Sequence, residues 1–424
     1  MLYYEWGDTM KKALLVGLDY YKGQKIITYM QELKALAETL NIEVFDSVTQ
    51  DNKQASPQFK IGSGKVQEIK ALIDVEKLDL VIFNDELTGS QVRNLEEVLG
   101  VPVVDRTLLI LDIFAKRAKT KEAMLQVEVA QLKYLLPRLT SLNASFERQQ
   151  GGIGSRGPGE KKIEMDRRKI ENELNTLENA LKSIVTVRQS NRKYRQKTMI
   201  KTVAIVGYTN AGKSTLMNAL INASNTSNNE TKDVFVKDQL FATLETTSRR
   251  IELANTKPFL LTDTIGFVSN LPHDLVEAFK STLEEIKEAD LLLHVVDFSN
   301  PYYFDQILTT QKVLDELGAS DIETLYVFNK IDLTDENVPH GFSPAVKISL
   351  TENKNIDLLI TQIRRLLTID DKIVTYKIPY SQGDIVNTLI EHSEILNRKY
   401  DEHGTEIKAK VSKILRTQLK DYEQ

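Results

Sequence analysis

The segment Gly207-Tyr208-Thr209-Asn210-Ala211-Gly212-Lys213-Ser214 has glycines five apart, closed by a lysine and a hydroxyl. That spacing suits a loop wrapped around a phosphate chain. Glycines let successive backbone N–H groups turn inward, and a following helix adds its dipole. Lys213 is placed to reach terminal phosphates and Ser214 to hold Mg²⁺, with Gly207, Ala211, Gly212 and Thr215 completing the cradle. Further along, Asn329-Lys330-Ile331-Asp332 follows the apolar run Leu325–Phe328. A carboxylate at Asp332 can accept from the N1–H and exocyclic amine of guanine, groups that adenine does not present, and leaving that acceptor unpaired makes rejection strong. Asn329 and Lys330 belong to the same base-side set. Between the two motifs, Asp263-Thr264-Ile265-Gly266 offers a carboxylate for Mg²⁺ through water and, at Gly266, an N–H for a γ-phosphate. Any one of these is compatible with a turn or cap. In this order they point to a guanine nucleotide.

The surrounding pattern supplies the scaffold such groups need. Thr202–Val206 reads as a strand before the loop, an apolar helix opens at Thr215, and Phe259–Thr262 and Val346–Ile348 read as further strands. This α/β pattern spans roughly 199–368. Upstream, residues 1–120 alternate short apolar runs with helical stretches, the pattern of a small parallel α/β domain. From Lys121 the period turns helical. Leu125, Leu132, Leu135, Leu136, Leu139 and Leu142 form one stripe, and Ile163, Ile170, Leu174, Leu177, Leu181 and Ile184 recur at heptad-like steps. The expectation over 121–198 is a two-helix hairpin whose stripes bury each other, with a glycine-rich tip. Residues 369–424 read as a small α+β appendage: an alternating strand through Val374, Tyr376 and Ile378, a helix near Ile385–Leu396, then Ile407, Ala409 and Val411.

Composition narrows the classes. The 424 residues are 41% hydrophobic and 27% charged, with formal net charge −5 and no cysteine. Disulfides, thiolate metal sites and cysteine nucleophiles are excluded, as is a globally basic nucleic-acid binder. Basic charge is instead local, with a net +8 from Arg138 to Lys201. Within that run Gly151-Gly152-Ile153-Gly154-Ser155-Arg156-Gly157-Pro158-Gly159-Glu160 carries five glycines, bare backbone able to approach a phosphate chain beside Arg156. No transmembrane segment is expected. Met1–Thr9 has no basic n-region, so the cytoplasm is the expected location, and Met10 is an alternative start.

The motifs as they stand resemble those of the HflX family of translation-factor-related GTPases. The likeness rests on the phosphate loop, Phe241-Ala242-Thr243-Leu244, Asp263-Thr264-Ile265-Gly266-Phe267, Ile61-Gly62-Ser63-Gly64-Lys65-Val66, Asp105-Arg106-Thr107, the Gly151–Glu160 loop and Asp166-Arg167-Arg168. It implies a Ras-like P-loop GTPase domain with a mostly parallel sheet, preceded by the α/β domain and hairpin and followed by the appendage. It also implies a protein that binds the large ribosomal subunit and its RNA and separates stalled or idle ribosomes; a monomer is expected. Gly151, Gly152, Gly154, Arg156, Gly157 and Gly159 would then contact RNA. By the same resemblance Thr243 matches the switch threonine that closes on Mg²⁺ and the γ-phosphate, acting with Lys213 and Gly266, while Thr246 and Thr247 are rivals. The family usually has proline where Thr246 stands, and a Ser-Ala pair where Ser349-Leu350 would contact the base.

Two positions bear on turnover. Phe267 stands where Ras-like enzymes use a glutamine to orient water, so slow unaided hydrolysis is expected. Asn210 either helps place a K⁺ ion at the phosphates or braces the turn. Two other functions remain open: a GTP-controlled switch for a non-ribosomal partner, and a nucleotide-driven RNA remodeller.

Overall fold

The computed structural model describes residues 10–20, 24–51, 53, 55–149, 158–196, 200–224, 241, 247–253, 257–269, 279–336, 338–369, 371–401 and 404–423. The chain forms two compact units, one built mainly of residues 1–184 and the other mainly of 185–424.

The first unit is a parallel sheet in the order β2-β1-β3-β4, made of β1 (Lys11–Asp19), β2 (Ile42–Asp51), β3 (Leu80–Phe83) and β4 (Val103–Asp105). Helices α1 (Gln24–Thr39), α2 (Ser63–Glu76) and α3 (Gly89–Leu99) connect the strands, and α4 (Arg106–Arg117) follows β4. Leu14, Val16, Ile69, Phe83 and Leu95 fill one core. Strands buried on both faces by crossover helices read as continuous apolar runs, which is why Leu80–Phe83 is buried throughout. Helix α3 opens on a capping box in which Thr88 accepts from Gln91 N and Gln91 returns the bond. Phe241 and Phe279 also belong to this unit and meet the Phe114 ring edge-on at 4.6 and 4.9 Å.

Where β4 ends, a charged network is sealed inside. Asp105 is fully buried and accepts from Leu87 N, Leu108 N, Tyr134 Oη and Arg138 Nη2 at 3.1, 3.0, 2.7 and 2.9 Å. Arg106, 2% exposed, donates to Asn84 Oδ1 at 3.0 Å and pairs with Glu32 at 2.7 Å. Burying charges at this depth is tolerable only when they are paired and hydrogen-bonded. Burial, then the Asp105 charge, pushes the Tyr134 phenol far above its ordinary value.

Helix α5 (Lys121–Gln149) departs from the expected stripe. Its buried face is Ala123, Gln126, Val127, Ala130, Gln131 and Tyr134, with Val129 and Leu132 beside it, whereas Leu125, Leu135 and Leu136 are only half-buried. The apolar side of α5 packs against α3 and α4. In α6 (Pro158–Gln196), Ile170, Leu174, Leu177, Leu181 and Ile184 are likewise half-buried. Among the described side chains of the two stripes, only Leu132 is fully buried. Lys133 and Glu178 pair across the two helices at 3.1 Å.

The second unit holds a six-stranded sheet in the order β10-β9-β8-β5-β7-β6. Its strands are β5 (Lys201–Gly207), β6 (Thr247–Ile251), β7 (Phe259–Asp263), β8 (Leu291–Asp297), β9 (Thr324–Asn329) and β10 (Ala345–Lys347). All pairs are parallel except β6 with β7. Helices α7 (Lys213–Asn222), α8 (Lys280–Lys287), α9 (Tyr303–Leu317) and α10 (Ile356–Leu367) accompany it. Val203, Ile205, Leu216, Leu293, Val327 and Ile363 lie in its main core. The carboxyl ends of β5, β7, β8 and β9 carry Gly207, Asp263, Asp297 and Asn329. Open α/β sheets place ligands beyond the carboxyl ends of their strands.

The chain closes with β11 (Lys372–Ile378), α11 (Gly383–His392), β12 (Glu394–Asp401), β13 (Gly404–Val411) and α12 (Lys413–Gln418), whose strands form an antiparallel sheet in the order β11-β13-β12. The expected helix Ile385–Leu396 ends at His392, and a strand begins at Glu394. That strand has no fully buried residue, so the sequence carries no apolar alternation to announce it. Among the described residues no helix is long and apolar enough to cross a membrane.

Candidate nucleotide site

Strand β5 delivers the chain to Gly207, whose φ of 143° and position against the Val295 carbonyl leave no room for a side chain. The loop then turns through Asn210 (φ 61°) and Gly212 (φ 101°) before α7 starts at Lys213. No side chain caps this helix, so its first N–H groups remain available for an anion. Lys213 is 8% exposed and donates to the Tyr208 carbonyl at 2.6 Å. Desolvation pulls its pKa down to about 8, against the opposing pull of the Asp263 charge.

Asp263 is fully buried at the end of β7 and receives Thr264 N on Oδ1 at 3.0 Å and Ser214 Oγ on Oδ2 at 3.2 Å. A hydroxyl and a carboxylate facing each other are hard oxygen donors, the chemistry that Mg²⁺ takes. A side chain at Gly266 would meet Lys213 Nζ and Thr209 Cγ2 at 2.8 Å, so only glycine lets this backbone come so near the lysine. Phe267 is tied to the cradle by its backbone, donating to Gly207 O at 3.2 Å and accepting from Thr209 N at 2.8 Å. Its ring is 1% exposed. An apolar, buried ring cannot orient a water molecule.

One amide fastens the Asn329–Asp332 segment to the Gly207–Ser214 loop. Asn329 Nδ2 donates to Ala211 O at 2.9 Å, and its Oδ1 accepts from Leu350 N at 3.3 Å. Leu350 thus contributes backbone here, whatever its side chain. Lys330, at φ 66°, pairs with Asp297 at 2.6 Å. Asp332 is exposed, and its carboxyl is held below the ordinary range by the Ser349 hydroxyl first and by Thr351 and Lys330 after it. Ser349 is fully buried.

The structure therefore gathers Gly207, Lys213, Ser214, Asp263, Gly266 and Asn329 at the ends of adjacent strands, with Thr215 in the first turn of α7. Thr243 and its rival Thr246 lie outside the described residues. The other rival, Thr247, opens β6 directly opposite Asp263 in the antiparallel register. Gly151, Gly152, Gly154, Arg156 and Gly157 also lie outside the described residues, and Gly159 is in the first turn of α6. Sequence reasoning missed Tyr208, Asp297 and Thr351, which act here as partners of Lys213, Lys330 and Asp332. Asp297 was discoverable, since it ends an apolar strand as Asp263 does. His294 was also passed over. It is 1% exposed on β8, its ring 5.3 Å from Tyr326, and its Nδ1 has no hydrogen-bond partner among the described residues. Burial, with a smaller effect of Lys213, lowers its pKa to about 3.

A mostly parallel sheet whose strand ends carry, in chain order, the Gly207–Ser214 loop, the buried Asp263 and the Asn329–Asp332 segment is that of a P-loop GTPase. Three family descriptions match consecutive stretches: "GTP-binding GTPase N-terminal" over 28–115, "GTP-binding GTPase Middle Region" over 117–195, and "50S ribosome-binding GTPase" over 202–330. The protein named GTPase HflX of Caldanaerobacter subterraneus subsp. tengcongensis is 47% identical over 393 residues, covering 93% of this chain and 90% of that protein. Its namesake in Alkalihalophilus pseudofirmus is 44% identical over 374 residues, 88% of this chain and 86% of that one. The Escherichia coli K12 protein of that name is 42% identical over 332 residues, 78% and 76% of the two chains. The chain belongs to the HflX family of GTPases.

Proposed function

We propose that this GTPase binds the large ribosomal subunit and separates stalled or idle ribosomes, with the subunit stimulating hydrolysis. The observation that carries the reading is the buried Phe267 ring directly after Gly266, its backbone bonded to Gly207 and Thr209, in a domain whose family description is 50S ribosome-binding. A site without a water-orienting side chain at that position needs a partner to complete it. In this reading Lys213 and the N–H groups of Gly212, Ser214, Thr215 and Gly266 hold the phosphates. Ser214, Asp263 and Thr243 would hold Mg²⁺, which would supply positive charge against the phosphates. Asp332 reads guanine, aided by Asn329, Lys330, Ser349 and Leu350. The Gly151–Gly159 loop meets ribosomal RNA, and the protein works in the cytoplasm as a monomer. Asn210, exposed and left-handed, is the residue through which K⁺ would act, and turnover in matched sodium and potassium salts tests that role.

The test is steady-state hydrolysis with and without purified large subunits, beside light scattering of intact ribosomes. Turnover alone is expected near the unassisted range of about 10⁻⁴ to 10⁻² s⁻¹ and should rise by orders of magnitude with subunits. Deleting residues 151–159 should abolish splitting while leaving GTP binding intact. Fast turnover that ribosomal subunits do not change would overturn the reading.

A further inference from the structure

The loop after β10 does more than bring Ser349 and Leu350 to the base side. Ser349 and Lys354 exchange two backbone hydrogen bonds at 3.2 and 2.9 Å, closing a tight turn. Asn353 and Asn355 take the left-handed backbone the turn requires, at φ 52° and 62°. Asn355 Nδ2 ties the turn back to Lys347 O at 2.8 Å. The Ser349 hydroxyl accepts from Glu352 N at 3.1 Å and lies 3.2 Å from the Thr351 hydroxyl. Thr351 in turn donates to Asp332 Oδ2 at 3.5 Å. A hydroxyl pair rooted in the buried Ser349 thus reaches out to an exposed carboxylate.

The exposed carboxylate is the weak point of base recognition. Guanine offers two donors in one plane, and both oxygens of Asp332 must lie in that plane to accept them. In solvent the side chain turns about χ1 and χ2, and each wrong orientation loses one bond or both. The Ser349 hydroxyl acts on this carboxyl first, and a Thr351 donor at Oδ2 restricts that freedom further. Threonine suits this role because its β-branch restricts χ1, so the hydroxyl is aimed before the nucleotide arrives.

We propose that Thr351 is a positioning residue for guanine discrimination, its hydroxyl orienting the Asp332 carboxylate toward both donors of the base. The proposal rests on the reading of Asp332 as the guanine carboxylate. Inosine nucleotides separate orientation from mere loop integrity, because hypoxanthine keeps N1–H and lacks the amine. A misoriented carboxylate loses the second bond most, whereas a loosened loop weakens both bases alike.

The experiment measures GDP, IDP and ADP affinities of the full chain by calorimetry for the wild type, Thr351→Ala and Thr351→Ser. Thr351→Ala should lower GDP affinity three- to tenfold and IDP affinity less than twofold, so the GDP-to-IDP preference shrinks. Thr351→Ser should restore most of it. A preference that stays unchanged in Thr351→Ala, or losses equal for both bases, would overturn the proposal. Wild-type protein that binds ADP as well as GDP would instead sink the Asp332 reading itself.

Discussion

Both units end parallel strands in charged residues, yet they use them in opposite ways. At the end of β4, Asp105 has four donors and Arg106 has Asn84 and Glu32, all supplied by the chain itself. Beyond β5, by contrast, the α7 N-terminus has no side-chain cap, and beyond β9 the Asp332 carboxylate is exposed. The first arrangement spends its polar groups on holding β4, α4 and α5 together. The second keeps donors and acceptors in reserve for a ligand. Strand-end charge alone therefore does not mark a site; what marks it is bonding capacity the fold leaves unused.

Replacing one residue on each side should break the comparison in opposite directions. Asp105→Ala removes the charge partner of Arg138 and leaves the buried Tyr134 hydroxyl without its acceptor, and should cost about 3–5 kcal/mol of stability, read as a lowered urea midpoint. Nucleotide affinity of the folded fraction should not move. Lys213→Ala should do the reverse. GTP affinity should fall by roughly 2–5 kcal/mol, measured by calorimetry, while stability holds or rises, because the lysine is desolvated in its loop.

His294 sharpens the contrast further, being a buried titratable group whose Nδ1 has no hydrogen-bond partner among the described residues. Its folded pKa of about 3 lies below the ordinary 6.5, so between those values the unfolded chain holds a proton that the folded chain lacks. Stability is full above pH 6.5 and should fall toward pH 3 by up to about 1.4 kcal/mol per pH unit. His294→Leu should flatten that slope in denaturant titrations at successive pH values. The smallest effect concerns Lys213. With a free pKa of about 8, raised when phosphate arrives, GTP binding at and above pH 8 should take up as much as roughly one proton. Calorimetry in buffers of different ionisation enthalpy counts that proton.

How much was legible follows the same division. The nucleotide cradle was readable because its groups lie within short segments, each at the end of an apolar strand. Asp105-Arg106 could be noticed only as a string, since three of the four partners of Asp105 are 18 to 33 residues away and cannot be inferred from spacing. The α5 face was misread at Leu125, Leu135 and Leu136, which were counted as core and are only half-buried. The helix instead buries Gln126 and Gln131, the latter bonded to Asp112 at 3.5 Å, a choice dictated by neighbours. Strand β12 escaped because an exposed edge has no apolar rhythm.

The bond from Lys213 to the Tyr208 carbonyl has a consequence for timing. A lysine loses about 1.5–2 kcal/mol of side-chain freedom when it is fixed in one rotamer. Here that loss falls at folding, once, and not at each encounter with a nucleotide. The ammonium has three donors and commits one, so a phosphate oxygen meets a cation already aimed and still able to give. A switch that must reload after every hydrolysis thereby starts each round with its charge in place.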